Sequence, residues 1–185
     1  MNLRHSGFAA SMTAECTGLS ITRVGASLGA EISGIDLERE LTQEQVEAIE
    51  QQLARHELLI FRNQEITADD LIAFGRRFGE LTVHPFAPSD GSAPVLITFR
   101  NDEKTPPFAT DVWHSDETFR RHPPMATVLC AKEVPALGGD TVFASMSAAY
   151  AGLSDRIQQL ISGLEAMHDI KPFRALFGSS EADRR

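Results

Sequence analysis

Cysteine is scarce: Cys16 and Cys130 are the only two in 185 residues, far apart and in no metal-like spacing. A disulfide framework and a thiolate metal cluster are both excluded, and a reducing cytoplasm is the expected compartment. Positive charge is short as well. Seventeen Lys and Arg stand against 26 Asp and Glu, a formal charge of −9, which argues against broad attraction to nucleic acid or anionic membranes. An anionic substrate would have to be caught by a local positive site. Long apolar runs are missing: the opening dozen residues hold no signal-peptide core, and no later stretch reaches membrane-spanning length. A chain with neither nucleic acid nor membrane as partner is expected. Internal repeats, low-complexity segments and a linker dividing two domains are also absent.

What remains is globular in composition, 42% hydrophobic and 23% charged, at a length that suits one domain. Residues 1–18 read as a flexible extension and residues 19–185 as the domain. Leu19-Ser20-Ile21-Thr22-Arg23-Val24 alternates with the period of a half-buried strand, after which Gly25, Gly29 and Gly34 mark a turn. Thr42-Gln43-Glu44-Gln45 has the form of a capping box, and Val46, Ile49 and Leu53 continue it as a helix to about His56. Residues 58–61 form a short buried strand. Thr67 caps a second helix with Leu71, Phe74 and Phe78 inside, and Gly79 is placed to end it. Further strands are expected at residues 95–99, 126–131 and 141–144, with a polar loop over 101–111 and a tight turn at 135–139. Ser154 caps a last helix with Ile157, Leu160, Ile161 and Leu164 inside.

Trp113-His114-Ser115-Asp116 is the strongest chemical feature. In an extended segment residues i and i+2 share a face, so the His114 imidazole and the Asp116 carboxylate converge. A nitrogen and a hard oxygen make half of a metal site, and two His with one carboxylate is the ligand set of non-haem Fe(II) oxygenases. The triplet alone is weak, since a structural His–Asp hydrogen bond has the same residues. Trp113 and the phenylalanines read as core, Cys130 as a buried thiol in a strand, and Arg76-Arg77 as a solvated helix face. His5, His56 and His122 read as surface residues, and His168-Asp169 as structural because adjacent residues point to opposite faces of a strand.

Context sharpens the triplet. Trp113-His114-Ser115-Asp116-Glu117-Thr118-Phe119, then Pro123-Pro124, Lys132-Glu133-Val134-Pro135 and Gly138-Gly139-Asp140-Thr141, resembles the taurine dioxygenase/TfdA family of Fe(II)- and 2-oxoglutarate-dependent dioxygenases. Upstream, Leu28-Gly29-Ala30-Glu31-Ile32-Ser33-Gly34-Ile35-Asp36-Leu37, Phe61-Arg62-Asn63-Gln64, Arg77-Phe78-Gly79-Glu80-Leu81 and His84-Pro85 resemble the family's N-terminal half in the same order. The resemblance covers about residues 19–169, the N-terminal half to two-thirds of a family member.

The resemblance implies an α+β to mainly β fold, a double-stranded β-helix or jelly roll with flanking helices, incomplete in these 185 residues. It makes His114 and Asp116 catalytic iron ligands and gives Thr141 to the 2-oxoglutarate carboxylate. His84, Thr110 and Phe119 fall at substrate-binding positions, while Ala87 replaces an aromatic of taurine-specific members. The family's distal histidine and its following arginines have no counterpart, since His122 and His168 are the only later histidines and Arg174, Arg184 and Arg185 lie in no matching context. The strands after Val95 are too few to close a jelly roll, so the working protein is expected to extend past these residues.

The implied cofactor is Fe(II), with 2-oxoglutarate as cosubstrate. The implied reaction consumes O2 and hydroxylates an activated C–H of a small anionic sulfonate, alkyl sulfate or aryloxyalkanoate, releasing succinate and CO2. Association into dimers or tetramers is compatible with it. Two other readings stay open: a catalytically inactive truncated jelly-roll fragment or interaction domain, and a zinc or manganese hydrolase using the same His–Asp pair.

Overall fold

Alternation, capping and glycine placement build a mixed sheet in the computed structural model, which describes residues 17–83, 95–100 and 112–169. The expectations for residues 1–16, for His84 and Thr110, and for the whole of the 101–111 loop lie outside the described residues, as does the chain after Asp169. The chain divides into two compact units. Among described residues the first holds 17–81 and 130–158, and the second 82–83, 95–100, 112–129 and 159–169.

In the first unit β1 (Ser20–Arg23) runs antiparallel to β2 (Ala30–Ser33), with Ile21 opposite Ile32, and β2 runs parallel to β3 (Leu59–Phe61), with Ile32 opposite Phe61. The strand order is β1-β2-β3, so β2 is central. A parallel pair needs a crossover, and α1 (Gln43–His56) supplies it between β2 and β3. Strand β2 is an addition to the turn expected after β1. Gly34 follows it at φ +80, where a Cβ would lie 2.3 Å from the Gly18 carbonyl oxygen, so only glycine lets the chain pass there.

Helix α1 begins with the expected capping box: Gln45 N–H donates to Thr42 Oγ1 at 3.2 Å, and Thr42 N–H to Gln45 Oε1 at 3.0 Å. It ends at Glu57, a left-handed residue with φ 62. Helix α2 (Ala68–Arg76) repeats the device with Thr67 and Asp70, at 3.2 and 2.8 Å. It stops at Arg76, before Gly79, whose φ of +140 lies outside the helix. Val46, Ile49 and Phe74 enter a core with Leu19, Ile32 and Ile66, and Phe61, Leu71 and Phe78 pack against it. Phe74 meets Phe61 and Phe78 edge-on, with ring centroids 5.7 and 5.0 Å away.

Gln64 ties two separated segments of the chain together. Its Oε1 accepts from Leu37 N–H at 2.9 Å and its Nε2 donates to Ile35 O at 3.2 Å, stitching the segment after β3 to the loop after β2. Lys132 donates to the Ile66 carbonyl, and Ser147 at the start of α3 (Met146–Ala151) donates to Glu57. The hydroxyls of Ser147 and Ser145 hold the Glu57 carboxyl below its ordinary pKa.

Several expectations are corrected. Residues 95–99, 126–131 and 141–144 carry no strand: an apolar run becomes a strand only when a neighbour takes its backbone hydrogen bonds, and no described residue does so here. Helix α4 (Asp155–Ile161) forms where expected, but Ile157, Leu160, Ile161 and Leu164 are exposed. His56 is buried rather than on the surface, Cys130 is half-buried outside any strand, and Arg77 is half-buried and paired with Glu40 at 3.2 Å. Among the described residues the sheet is three-stranded, and no helix is long and apolar enough to cross a membrane.

Candidate functional site

The second unit carries the His114–Asp116 pair. Residues 113–115 have no regular structure, and a turn begins at Asp116. The i, i+2 convergence read from the sequence nevertheless forms: His114 Nε2 lies 3.2 Å from Asp116 Oδ1. His114 Nδ1 lies 2.9 Å from the Val112 carbonyl oxygen. A carbonyl can only accept, so Nδ1 carries the proton and Nε2 keeps a lone pair in the neutral ring. Two lone pairs facing each other need a positive species between them, either a proton or a metal ion.

The donor set fits a metal. Ligands about 2.1 Å from an ion and at right angles to each other lie about 3.0 Å apart, close to the separation seen. Structural stabilisation is a poor explanation for the pair, because the two side chains keep 44% and 47% of their exposure; an ion pair so open to water contributes under about 1 kcal/mol. Among the described residues no group of three or more His, Cys, Asp or Glu could hold a metal ion, so the candidate donors described are the two of this pair.

The turn beneath the pair is held firmly. Glu117 has φ 47, a left-handed conformation that a side chain adopts only when its surroundings insist. Its carboxylate, 7% exposed, accepts from Arg120 Nε at 2.9 Å, Arg120 Nη2 at 2.8 Å and Thr82 Oγ1 at 3.0 Å. Arg120 Nη2 also donates to Val83 O at 2.6 Å, and Arg120 N–H closes the turn onto Glu117 O at 3.1 Å. The Glu117 carboxylate raises the Arg120 pKa above its ordinary value, keeping the guanidinium charged. Asp116 is gripped independently, its Oδ2 accepting from Thr127 Oγ1 at 2.7 Å.

The remaining expected site residues divide. Phe119 is half-buried in this unit, its ring centroid 5.8 Å from Arg120 Cζ. Thr141 belongs to the first unit, exposed and outside regular structure. Trp113 is 73% exposed and not core. His168 Nδ1 lies 2.8 Å from Thr118 Oγ1. Glu117, Arg120, Thr82 and Thr127 are not singled out by sequence spacing alone. Opposite charges three residues apart give a signal for Glu117 and Arg120, whereas Thr127, eleven residues from Asp116, gives none.

The family described as "Taurine catabolism dioxygenase TauD, TfdA family" matches residues 20–183. A sulfate ester dioxygenase dependent on alpha-ketoglutarate, from Pseudomonas putida, is 34% identical over 151 residues, covering 81% of this chain and 49% of that protein. An alpha-ketoglutarate-dependent 2,4-dichlorophenoxyacetate dioxygenase from Cupriavidus pinatubonensis is 33% identical over 174 residues, covering 84% of this chain and 61% of that protein. The chain thus spans about half to three-fifths of the length of these relatives. The crystal structure of AAD-2 in complex with Mn(II) and N-oxalylglycine superposes with a TM-score of 0.64 at 25% identity, covering 90% of this chain and 59% of that one.

Proposed function

The chain belongs to the taurine catabolism dioxygenase TauD, TfdA family, and on that premise we propose that His114 and Asp116 are two ligands of the metal in an Fe(II)- and 2-oxoglutarate-dependent dioxygenase. The observation that carries the reading is the 3.2 Å approach of His114 Nε2 to Asp116 Oδ1 with Nδ1 occupied by Val112 O. The relative crystallised with Mn(II) supports a divalent metal, and the alpha-ketoglutarate-dependent relatives support 2-oxoglutarate as cosubstrate. The jelly roll, and a cytoplasmic location, belong to the same proposal.

An iron ion held here with 2-oxoglutarate would supply the oxidative chemistry, in which O2 gives one oxygen atom to succinate as CO2 leaves and the other to an activated C–H bond as a hydroxyl. The chain's residues supply geometry. Asp116 contributes negative charge, and His114 presents Nε2 because Val112 O holds the other nitrogen. The Thr141 hydroxyl holds the cosubstrate carboxylate, and His84, Thr110 and Phe119 contact the substrate. That substrate is a small anion of sulfonate, alkyl sulfate or aryloxyalkanoate type, in line with the sulfate ester and 2,4-dichlorophenoxyacetate relatives. A hydroxyl placed on the carbon bearing sulfate or aryloxy oxygen makes the product collapse to a carbonyl compound and a free leaving group.

The test is succinate formation from 2-oxoglutarate with Fe(II), O2 and a panel of such anions. The complete working protein is expected to form succinate, and its His114→Ala and Asp116→Ala variants are each expected to lose it. Turnover that survives both substitutions contradicts the proposal. A second reading, a catalytically silent interaction domain, draws on the exposure of Leu137 and Met167, at 93% and 94%; it predicts no succinate from the complete protein either.

A further inference from the structure

The two oxygens of Asp116 are used differently. Oδ1 faces His114 Nε2, while Oδ2 accepts the Thr127 hydroxyl at 2.7 Å, a length typical of a bond to a charged acceptor. A carboxylate turns readily about its terminal bond, so something must decide which oxygen faces the imidazole and at what angle. We propose that Thr127 is the positioning residue for Asp116, its hydroxyl reserving Oδ2 so that Oδ1 alone is presented to the metal beside His114. The inference rests on the metal reading of the His114–Asp116 pair and goes beyond it by assigning the group that aims the carboxylate.

The hydroxyl has one acceptor in view, and Thr127 is itself exposed. Its loss therefore removes little packing, and a folding role for it is weak. The partner ligand is aimed in the same manner, by Val112 O on His114 Nδ1. Each of the two ligands thus has one atom tied to the protein and the other left toward a shared point. Partners that orient ligands in this way typically govern metal affinity by about ten- to a hundredfold.

Trp113 gives a direct readout, being the sole tryptophan, largely exposed and adjacent to His114. Quenching of its fluorescence by Co(II) measures affinity without any turnover. Wild-type chain is expected to show saturable quenching that His114→Ala abolishes. Thr127→Val, which keeps the shape and loses the donor, is expected to weaken Co(II) affinity by about tenfold or more. Thr127→Ser, which keeps the donor, is expected to bind within about threefold of wild type, a change smaller than the loss of the donor brings. The thermal midpoints of both variants are expected to match the wild type.

Equal affinity in wild type and Thr127→Val overturns the proposal while leaving the metal pair standing. Weakening in Thr127→Ser as large as in Thr127→Val overturns it too, because the hydroxyl is then not the cause. A fall in the thermal midpoint of Thr127→Val that accompanies its loss of affinity assigns the hydroxyl to folding, with the same consequence. Absence of quenching in wild type, or quenching that survives His114→Ala, defeats the metal reading and this inference with it.

Discussion

An imidazole shut away from water is costly to charge, and His56 at the end of α1 is such a group. Burial pushes its pKa below the ordinary value, and the positive charges of Arg55 and Arg23 push it further the same way. The unfolded chain therefore takes up this proton at a higher pH than the folded one, so His56 supports folding above its unfolded pKa of about 6.5 and that support is lost as pH falls through the folded value. Urea midpoints at neutral pH and at mildly acidic pH test this. Wild type is expected to lose more stability on acidification than His56→Gln, and equal losses would contradict the account. Nothing in the sequence marks His56 as buried. It is the last residue of an amphipathic helix, and its burial follows from the backbone bond it accepts from Gly29, 2.8 Å away.

Glu117 and Arg120 are the second case at this scale. A nearly buried carboxylate that loses its guanidinium keeps its desolvation cost without its partner. Arg120→Ala is expected to lower unfolding free energy by about 2 kcal/mol, with Arg120→Lys recovering only part because an ammonium cannot reproduce the two-point contact. Denaturant titration measures it, and a change within experimental error would deny the turn its clamp. The convergence of His114 and Asp116, by contrast, was legible from spacing, because a two-residue separation constrains direction over so short a reach, whereas their reading as metal ligands needed the family resemblance.

Local rules decide most elements of the first unit. The capping boxes at Thr42 and Thr67 write the starts of α1 and α2 into four-residue patterns, and the side chains close both in the expected way. Thr42→Ala is expected to cost about 1 kcal/mol in a thermal or urea melt; no measurable cost would mean that packing of Val46 and Ile49 alone sets the helix start. Strand β2 was harder to read because glycines flank four residues of which only Ala30 and Ile32 are buried. Its position comes from pairing on both sides, which no local pattern records. The same physics works in reverse at residues 95–99, 126–131 and 141–144. Their apolar runs suit strands, yet without partners among the described residues Val128, Leu129, Val142 and Phe143 remain exposed. Likewise the apolar stripe of α4 has helical spacing, but spacing alone does not supply a surface to cover it.

At the scale of the molecule, the first unit carries the sheet and its core, and the second carries the turn that presents His114 and Asp116. Ordered motifs spread over the chain identified the family from sequence, and the family match over residues 20–183 agrees with them. What spacing could not supply was the support around the candidate ligands: Thr127 and Thr82 reach Asp116 and Glu117 from sequence separations of 11 and 35 residues. Such contacts depend on how the chain returns to itself. The central claim is that His114 and Asp116 hold a divalent metal ion. Equilibrium dialysis against Mn(II) addresses it most directly: the account predicts one bound ion per wild-type chain and loss of that ion in the His114→Ala, Asp116→Ala double variant, whereas equal binding by the two proteins would contradict it.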